Sequence, residues 1–497
     1  MHIPDYIKNI AEKLENAGFE VFIVGGCVRD LLMDLEPKDW DITTNARPEQ
    51  VLTVFSNSKY TNIFGVVLLP LKNNKEEVEQ IIEITTYRSE QDYNDRRHPD
   101  LIKFEDSLDK DLERRDFTIN AMALGRLRIT NYELQINENE IIIDNEKYVL
   151  IDLFGGKKDL KKKIIRVVGE PIDRFKEDAL RMMRAVRLAC QLNFIIELKT
   201  QRAMIKMANG IKYIANERIR DELIKILISN KAYDGIIMLN ELKLLQYIIP
   251  ELEYGINVDQ NRHHIYTVFE HSVLSLKNTP NQDWRVRLAS LLHDIAKPCT
   301  KKIINNNITF YNHDIIGARI AKKIMQRLKF GNNDIEKVVT LIKNHMFYYN
   351  VGEVTEASVR RLIRNVGEEN LANLIDLRVA DRLGSGVPKA KPYKLRHLEY
   401  MMKKVRHDPI SVKMLKINGN DLMILLKIKA GPKIGAILDV LLSEVIEDPE
   451  LNNKKYLDKH SLKLNKLDLH ELRQQAKEKI EEKKIEDDQE IKNQFWV

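Results

Sequence analysis

Two aspartates flank a tryptophan in the segment KDWDITTNA, residues 38 to 46. If this segment is a strand, side chains alternate between its faces, so Asp39 and Asp41 share one face and Trp40 lies on the other. Neighbouring carboxylates repel each other unless a divalent cation lies between them, and Mg²⁺ prefers such oxygen ligands together with phosphate oxygens. An isolated Asp-x-Asp is more often a solvated strand end, so the neighbouring residues decide between these interpretations.

A pair of glycines precedes the aspartates. Gly25 and Gly26 follow the apolar run EVFIV, and Arg29 lies one helical turn further on. Glycine allows backbone amides to approach a phosphate, and the start of a helix favours an anion. A triphosphate cradle beside metal-binding carboxylates is the combination that nucleotidyl transfer requires.

A second set of candidate metal ligands lies in the other half of the chain. Its members are His271, His293, Asp294, His313, His345 and Asp381. Imidazoles mixed with carboxylates suit divalent transition metals. A single histidine on an apolar helix is more often a core or surface residue, but the six together predict metal binding.

The secondary structure predicted for the elements that position these residues changes near residue 145. Before it, the β-type runs EVFIVGG, DWDITT, GVVLLPL and IIEITTY alternate with helical segments, which predicts a mixed sheet packed on helices. After it, almost every segment is typical of a helix, with long amphipathic helices expected at 172–192 and 217–230. A chain of 497 residues should form about three or four domains. The predicted fold class is multidomain α+β.

Composition excludes several classes of protein. The 80 basic and 74 acidic residues leave a charge of +6, which permits a local patch for a polyanion without requiring one. Cys27, Cys190 and Cys299 lack the spacing of a disulfide framework or thiolate zinc site, so a reducing cytoplasm is expected. Neither a signal peptide nor an apolar run of roughly 18 residues is found, so no membrane role is expected. No oligomeric state follows from the sequence.

Four ordered motifs resemble the class II CCA-adding enzymes and their poly(A) polymerase relatives, in the nucleotidyltransferase superfamily that includes DNA polymerase beta. They are VGGCVRDLL, KDWDITTNA, RRDFTINAMA and RFKEDALRMMRAVR. The resemblance covers most of residues 15–230 and, more weakly, 400–456. It implies a polymerase-beta-like head with a mixed sheet, followed by all-α domains. The expected divisions are a head at 1–150, a helical neck at 151–250, a metal-binding helical domain at 251–400, a tRNA-binding body or tail at 401–460 and a charged extension at 461–497.

The resemblance also implies roles for individual residues. Asp39 and Asp41 would bind catalytic Mg²⁺, with Glu83 a lower-ranked further carboxylate. The residues implied to contact the incoming nucleotide are Gly26, Arg29 and Arg115. In the implied reaction, the 3′ hydroxyl of a tRNA lacking part or all of its CCA attacks the α-phosphate of CTP or ATP, and pyrophosphate leaves.

The segment EDALRMMRAVR offers a physical account of base choice. On a helix, Asp178 and Arg181 would be neighbours on one face, which sets an acceptor beside donors. Cytosine and adenine both offer an amine beside a ring-nitrogen acceptor, whereas guanine and uracil place a carbonyl at the amine position. Protein side chains would therefore select CTP and ATP without a template, with Arg184 and Arg187 reaching the triphosphate or the RNA. The alternative is a set of i,i+3 and i,i+4 ion pairs on a solvated helix.

The charged segment 89–117 lacks apolar periodicity and is expected to be a mobile loop. In the CCA-adding family a loop here helps to switch the pocket from cytosine to adenine. The family often has a glycine where Gln91 stands, which bears on the final adenine step.

The histidine and aspartate set resembles an HD-type metal-dependent phosphohydrolase. The resemblance implies a primary site for Mn²⁺, Ni²⁺ or a similar ion at His271, His293, Asp294 and Asp381. It implies a second ion at His313 and His345. In RNA-processing relatives, such domains remove phosphates or open 2′,3′-cyclic phosphates.

The segment 415–436 resembles a family signal for contact with the tRNA elbow. Gly431 and Pro432 are expected to end one helix, and Ile434 with Gly435 to begin another. Exposed lysines there, Lys427, Lys429 and Lys433, would meet phosphates or simply solvent.

Three alternatives remain open at this point. In the first, the chain adds only A to RNA ends, or makes poly(A), from ATP. In the second, the chain is an RNA-binding or structural protein whose head has no catalytic activity. In the third, all of its activity resides in the HD region.

Overall fold

The computed structural model describes residues 1–60, 65–72, 77–91, 101–126, 140–260, 265–305, 307–351, 353–405 and 411–474. The chain divides into two compact units. One comprises Met1–Ile256 with Ile324–Phe330, and the other Asn257–Lys323 with Gly331–Val497. Among the described residues, no helix is both long and apolar enough to cross a membrane.

The first unit begins with a sheet whose strands are short and largely apolar. The strands of this region are β1 (Val21–Val24), β2 (Asp41–Thr44), β3 (Lys59–Tyr60), β4 (Val66–Lys72), β5 (Val78–Thr86), β6 (Arg88–Gln91), β7 (Leu101–Phe104), β8 (Ala123–Arg126), β9 (Glu140–Ile143) and β10 (Glu146–Ile151). Eight of them form one sheet in the order β3-β4-β5-β2-β1-β8-β10-β9, while β6 and β7 pair separately. Only β2 and β5 are parallel in the eight-stranded sheet. The predicted mixed sheet is confirmed.

Helices cover this sheet and continue beyond it. They are α1 (Asp5–Asn16), α2 (Gly26–Leu32), α3 (Pro48–Val54), α4 (Leu108–Glu113), α5 (Gly156–Lys162), α6 (Pro171–Glu177), α7 (Leu180–Leu192), α8 (Leu198–Met207), α9 (Asn216–Leu227), α10 (Ala232–Glu241), α11 (Leu245–Ile248) and α12 (Pro250–Glu253). A two-stranded parallel pair, β11 (Ile164–Ile165) and β12 (Ile195–Ile196), lies among them. Trp40 and Ile42 pack in one core with Ile7 and Leu14 of α1, and each fully buried apolar side chain of this size contributes about 2 kcal/mol.

Where the structure describes the second unit, it is helical apart from one hairpin, β13 (Lys302–Ile304) with β14 (Asn307–Thr309). Its helices are α13 (Val268–Lys277), α14 (Trp284–Leu292), α15 (Lys297–Thr300), α16 (His313–Arg327, whose last turn belongs to the first unit), α17 (Asn332–Lys343), α18 (Glu356–Val366), α19 (Leu371–Gly384), α20 (Tyr393–Lys404), α21 (Gly419–Leu426), α22 (Pro432–Glu447) and α23 (Lys454–Leu464). The helical region predicted after the head is confirmed.

Two local expectations are corrected. Within the predicted loop 89–117, the described residues form the β6–β7 pair and α4, while 92–100 lie outside the described residues. In the tail, α21 ends at Leu426 with Lys427 in the left-handed conformation, and Pro432 begins α22. The proline therefore starts the second helix and does not end the first, because its missing N–H and fixed φ suit a first helical position.

The tail helices share a core that includes Leu464 and Leu472. Apolar packing thus continues into the segment expected to be a charged extension, of which residues 475–497 lie outside the described residues. Lys427 and Lys429 are exposed, whereas Lys433 donates to the carbonyl oxygen of Asn465 at 2.8 Å.

Candidate functional site

The carboxylates of the head meet where β2 begins. Asp41 is the first residue of β2, Asp39 lies just before the strand and is exposed, and Trp40 is buried. The parallel register sets Asp41 beside Glu83 of β5. Burial raises the pKa of Asp41, Arg115 opposes the rise and Asp39 adds to it. Burial and the charges of Asp41 and Asp39 likewise raise the pKa of Glu83. The three carboxylates therefore interact electrostatically. Their oxygens are of the kind that Mg²⁺ prefers, but among the described residues they are not a group whose ligand atoms lie mutually within 4.8 Å.

A glycine turn lies against these carboxylates. Gly25 joins β1 to α2 with φ +85°, and a Cβ there would lie 2.8 Å from Arg115 Nη1 and 3.1 Å from Asp41 Oδ2. Gly26 is the first residue of α2. Only a residue without a side chain lets the Arg115 guanidinium and the Asp41 carboxylate lie so close to the backbone.

The predicted arginines of the head are held by acidic and amide partners. Arg29 forms an ion pair with Asp30 at 2.6 Å and donates to Asn120 Oδ1 at 2.8 Å. Arg115 lies 3.4 Å from the buried carboxylate of Asp111. Each guanidinium is therefore oriented before any substrate binds.

A cleft of about 380 Å³ in the first unit collects most of the predicted residues. Its charged and polar lining comprises Asp41, Glu83, Thr85, Arg88, Arg114, Arg115, Asp116, Asn120, Asp178, Arg181 and Arg184, and Gly25, Gly26 and Val66 complete it. Asp39, Arg29 and Arg187 are not among the lining residues. Carboxylates and guanidinium groups thus line the same cleft, and a metal-bound triphosphate needs both kinds of group.

The single helix predicted for 172–192 is wrong, because the chain breaks at Asp178. Helix α6 ends at Glu177, α7 begins at Leu180, and Asp178 between them has φ −143° and ψ 104°. Its Oδ1 accepts a hydrogen bond from the backbone N–H of Leu180 at 3.0 Å. A short acidic side chain that binds a nearby N–H competes with helix continuation, so a sequence that favours helix is interrupted here.

Asp178 and Arg181 line the same cleft but bind other partners. Arg218 of α9 contacts both carboxylate oxygens of Asp178, at 2.6 and 3.4 Å. Arg181 pairs with Glu177 and donates to the carbonyl oxygen of Arg174 at 3.1 Å. Arg218 was missed by sequence reasoning, since no local pattern connects it with a residue 40 positions earlier.

The next two arginines of α7 reach across to other elements. Arg184 lies 2.7 Å from the buried Asp116, and Arg187 lies 3.1 Å from the buried Glu222. Burial alone would raise the pKa of Asp116, but Arg184 and Arg181 hold it below the ordinary value. Burial lowers the pKa of Arg187, and Glu222 opposes this effect. The alternative interpretation expected i,i+3 and i,i+4 ion pairs on a solvated helix. Arg181 forms such a pair with Glu177, whereas Arg184 and Arg187 pair with Asp116 and Glu222, which are distant in the sequence.

The second predicted constellation converges in the second unit. The side chains come from α13, the end of α14, the start of α16, the end of α17 and from α19. All six are buried: His271, His293, Asp294, His313, His345 and Asp381. Residues separated by up to 110 positions thus form one cluster.

Distances within the cluster are those of a ligand set. His271 Nε2 lies 3.1 Å from both His293 Nε2 and Asp294 Oδ2, and 3.4 Å from Asp381 Oδ1. The Nε2 atoms of His313 and His345 lie 3.4 and 3.8 Å from Asp294 Oδ1. Within the part of the chain that the structure describes, two groups have ligand atoms mutually within 4.8 Å, namely His271, His293 and Asp381, and His293, Asp294 and His345.

Backbone contacts orient three of these imidazoles. The Nδ1 atoms of His293, His313 and His345 lie 2.8, 2.6 and 2.7 Å from the carbonyl oxygens of Ser290, Phe310 and Ile342. A carbonyl only accepts, so each Nδ1 carries a hydrogen and each Nε2 faces the cluster. The Nε2 atoms of His313 and His345 are buried and make no hydrogen bond to any described residue. This arrangement fits metal binding, in which the outer nitrogen of a ligand histidine is hydrogen-bonded.

The charges of this cluster are coupled, since burial would lower the pKa of His293 but Asp294 and Asp381 raise it to about 10. Burial would raise the pKa values of Asp294 and Asp381, but the histidines hold both well below the ordinary value, with Lys297 acting on Asp294 and Arg378 on Asp381. Burial lowers the pKa of His345 to about 3. Lys297 Nζ lies 2.6 Å from Asp294 Oδ2, a contact that the i,i+3 spacing in HDIAK would have indicated.

Comparison with known proteins agrees with this architecture. Residues 21–166 match the poly A polymerase head domain, 193–256 match the probable RNA and SrmB-binding site of polymerase A, and 263–386 match the HD domain. The fold and the two sites thus define a nucleotidyltransferase head followed by an HD domain, both of a kind that uses divalent metals.

Named relatives identify the family within this class of proteins. A CCA-adding enzyme of Ligilactobacillus salivarius is 33% identical over 476 residues, which are 93% of this chain and 98% of the relative. An A-adding tRNA nucleotidyltransferase of Deinococcus radiodurans is 30% identical over 436 residues, or 84% and 90%. A CCA-adding enzyme of Lactobacillus delbrueckii is 45% identical over 217 residues, and this match spans 44% of the chain and 48% of the relative. The chain therefore belongs to the family of CCA-adding and A-adding tRNA nucleotidyltransferases, as its motifs indicated.

A solved structure shares the fold. The crystal structure of the Bacillus stearothermophilus CCA-adding enzyme in complex with CTP matches with a TM-score of 0.65 at 24% identity, covering 92% of this chain and 96% of that one.

Proposed function

We propose that the first unit adds C, C and A to the 3′ end of tRNA from CTP and ATP, without a nucleic-acid template. The observation that carries this proposal is the cleft in which Asp41 and Glu83 lie with Arg115, Asp178 and Arg181. The family relationship supports it, because relatives aligned over nearly their whole length include a CCA-adding enzyme.

In this reaction the 3′ hydroxyl of the RNA attacks the α-phosphorus of the nucleotide. A new phosphorus–oxygen bond forms, the bond to the β-phosphate oxygen breaks, and pyrophosphate leaves. Asp39 and Asp41, with Glu83 nearby, would hold Mg²⁺, which when bound stabilises the attacking and leaving oxygens. Gly26, Arg29 and Arg115 would contact the incoming nucleotide.

The base-reading role falls to Asp178 and Arg181. An acceptor and donors in one cleft match the amine and ring nitrogen of cytosine and adenine. Arg218 holds the carboxylate of Asp178 in place, while Arg181 exchanges its pairing with Glu177 for the base. Arg184 would reach the triphosphate, and Arg187 would act from outside the cleft.

A second candidate function is addition of A alone, or synthesis of poly(A). The specific observation in its favour is the A-adding relative of Deinococcus radiodurans, which aligns with 84% of this chain. This candidate predicts the same metal site and the same reaction, but no incorporation from CTP.

End extension separates the two candidates. A tRNA transcript without CCA is incubated with CTP, with ATP or with both, and products are resolved to single nucleotides. Two additions with CTP, and a halt at three with both, are expected. Extension only from a transcript already ending in CC, or with ATP alone, would establish the A-adding function. Asp41→Asn serves as the inactive control.

We further propose that the second unit is a phosphohydrolase acting on RNA ends or nucleotides. Its proposed ligands are the six clustered side chains, and a bound Mn²⁺, Ni²⁺ or similar ion would activate a water for attack on phosphorus. The test is phosphate release, or ring opening, from RNA bearing a 2′-phosphate or a 2′,3′-cyclic phosphate. Activity that His293→Ala abolishes is expected, and its absence with all three of Mn²⁺, Ni²⁺ and Mg²⁺ would contradict the proposal.

The five-part division of the chain at 150, 250, 400 and 460 is kept as part of the proposal. So is a cytoplasmic location, to which the three unpaired cysteines are suited.

A further inference from the structure

A row of aromatic rings lies along one side of α20. Tyr393, His397 and Tyr400 follow the i, i+4, i+7 spacing, and both neighbouring pairs have ring centroids 5.9 Å apart. Tyr349, from the segment after His345, adds a fourth ring 5.9 Å from that of His397, with its hydroxyl 2.5 Å from His397 Nδ1. These four rings are here named the aromatic row.

The rings that α20 contributes to the aromatic row lie on the side of the helix away from the core, whereas Tyr349 packs partly against that core. Leu395, Leu398 and Met402 of the same helix are buried, and their spacing sets them on the opposite side from the rings. Tyr393 and Tyr400 are 61% and 60% exposed. A single exposed tyrosine needs no explanation, but here two exposed rings lie on either side of the half-buried His397 in one row.

Positive charge surrounds the aromatic row. Residues 389–404 contain one acidic side chain, Glu399, and six basic ones, which are exposed: Lys389, Lys391, Lys394, Arg396, Lys403 and Lys404. Lys391 pairs with Glu399 at 2.7 Å and Lys404 with Glu356 at 2.5 Å. Arg396 lies three residues from Tyr393, and Lys403 three from Tyr400, so helical spacing sets both beside the rings.

We propose that the aromatic row binds RNA, with unstacked bases on the rings and backbone phosphates on the flanking cations. Every base has a π face, and single-stranded nucleic acid is held by this combination of stacking platform and positive charge. An acidic lipid surface would need the charge without an ordered row of rings. Tyr349 follows the proposed metal ligand His345 by four residues, at most about 14 Å of chain. RNA on the row would therefore be held by the same unit as the metal-ligand cluster, and at Tyr349 close to it along the chain.

Binding measured without nucleotides tests this inference independently of the reaction proposed for the head. The full chain is titrated into a fluorescently labelled single-stranded RNA and into a labelled tRNA transcript, and anisotropy gives Kd. Tyr393→Ala combined with Tyr400→Ala is expected to weaken binding to the single strand at least about tenfold, because stacking on both rings is lost. The matched control, Tyr393→Phe with Tyr400→Phe, keeps both rings and should bind within about twofold of wild type.

The role of the basic side chains beside the rings is tested by the salt dependence of binding. Arg396→Gln with Lys403→Gln should reduce the slope of log Kd against log salt by roughly two, one for each lost phosphate contact. Unchanged Kd in the double alanine variant, with wild-type circular dichroism and Tm, would overturn the inference. So would equal binding to vesicles of anionic phospholipid and to RNA. Loss of RNA binding in that variant would support the inference even if the wild-type chain extended no tRNA, a result that would contradict only the function proposed for the head.

Discussion

Single side chains in the head cleft are already engaged before a substrate arrives. Asp178 is held by Arg218, Arg184 by Asp116, and Arg181 by Glu177. A nucleotide bound as proposed would therefore join or replace an existing ion pair at each of these positions. Since guanidinium groups lose less freedom when they are already oriented, this arrangement lowers the entropic cost of binding a triphosphate.

The position most sensitive to a single added carbon is Gly25. Gly25→Ala would push a Cβ against Arg115 and Asp41, and we expect kcat/KM for nucleotide addition to fall about a hundredfold, as small misplacements of reacting groups do. Gly18→Ala is the matched control, because Gly18 has φ +88° and nothing within 4 Å of its Cβ position. Both variants should lose about 1–3 kcal/mol of stability, because a positive φ strains a residue that has a side chain. Equal activity in the two would show that the collision at Gly25 has no effect.

Removing the partner of Asp178 should affect base choice more than turnover. In Arg218→Gln the carboxylate loses its guanidinium, so its orientation is less restricted. We expect the ratio of kcat/KM for CTP over UTP to fall about tenfold, in line with the loss of one charged hydrogen bond. Arg220→Gln on the same helix, where the native arginine pairs with Asp221 at 2.8 Å, should leave this ratio unchanged. A ratio that stays at the wild-type value in Arg218→Gln would contradict the orienting role.

At this scale the sequence indicates residue types better than partners. The carboxylates at Asp39 and Asp41 and the six HD side chains follow from local motifs. Arg218 does not, because its pairing depends on how α7 and α9 pack. At Asp178 the acidic side chain follows from a local motif, whereas the charge that orients it comes from a distant segment.

At the scale of elements, close helix contact brings the HD ligands together. Gly384 ends α19, and a Cβ there would lie 2.2 Å from Ser275 Oγ and 2.8 Å from the backbone nitrogen of Ser275 on α13. His271 and Asp381 lie one turn before these contact points on their helices. The approach of α13 to α19 therefore sets the distance between these two proposed ligands.

Gly384→Ala should separate the two helices. We expect the affinity for Mn²⁺, measured by calorimetry on the full chain, to fall at least about tenfold, as when the support of metal ligands is disturbed. Overpacking should also cost about 1–3 kcal/mol of stability. Gly435→Ala in α22 is the control, since nothing lies within 4 Å of its Cβ position. It should keep the affinity and gain about 0.5–1 kcal/mol. Wild-type affinity in Gly384→Ala would contradict the spacing argument.

Element prediction from the sequence succeeds where apolar periodicity is strong. The segment expected at 217–230 appears as α9, and the β-type runs of the head form strands. It fails at Asp178. The residues on both sides of Asp178 favour a helix, so the sequence pattern does not show that its side chain accepts a hydrogen bond from Leu180 and that α6 ends there. It also fails at 101–104 and 108–113, where a charged segment contains a strand and a helix.

At the scale of the whole molecule, each compact unit contains one candidate centre. The head cleft belongs entirely to the first unit and the HD cluster entirely to the second. Because no proposed ligand is shared, each centre should bind its metal and act on its own substrate.

Paired variants should therefore separate two activities of one preparation. After chelation and dialysis, Mg²⁺ should restore nucleotide addition, and Mn²⁺ or Ni²⁺ should restore phosphate release. Asp41→Asn should abolish addition and retain phosphate release, and His293→Ala should do the reverse. Removing a metal-binding group from either centre should reduce its activity by orders of magnitude. Joint loss of both activities in His293→Ala, with an unchanged Tm, would contradict independent centres.

Three histidines of the HD cluster, His293, His313 and His345, owe their orientation to carbonyl oxygens three residues earlier in the chain. Since these contacts are local, rotation of the three rings is restricted as soon as each segment folds. The conformational entropy of these side chains is therefore lost during folding, and its loss does not oppose the later binding of a metal ion. The affinity for an ion would then depend on the protons that the ligands must release, and discrimination among ions on ligand type, geometry and the ease with which each ion gives up its hydration water.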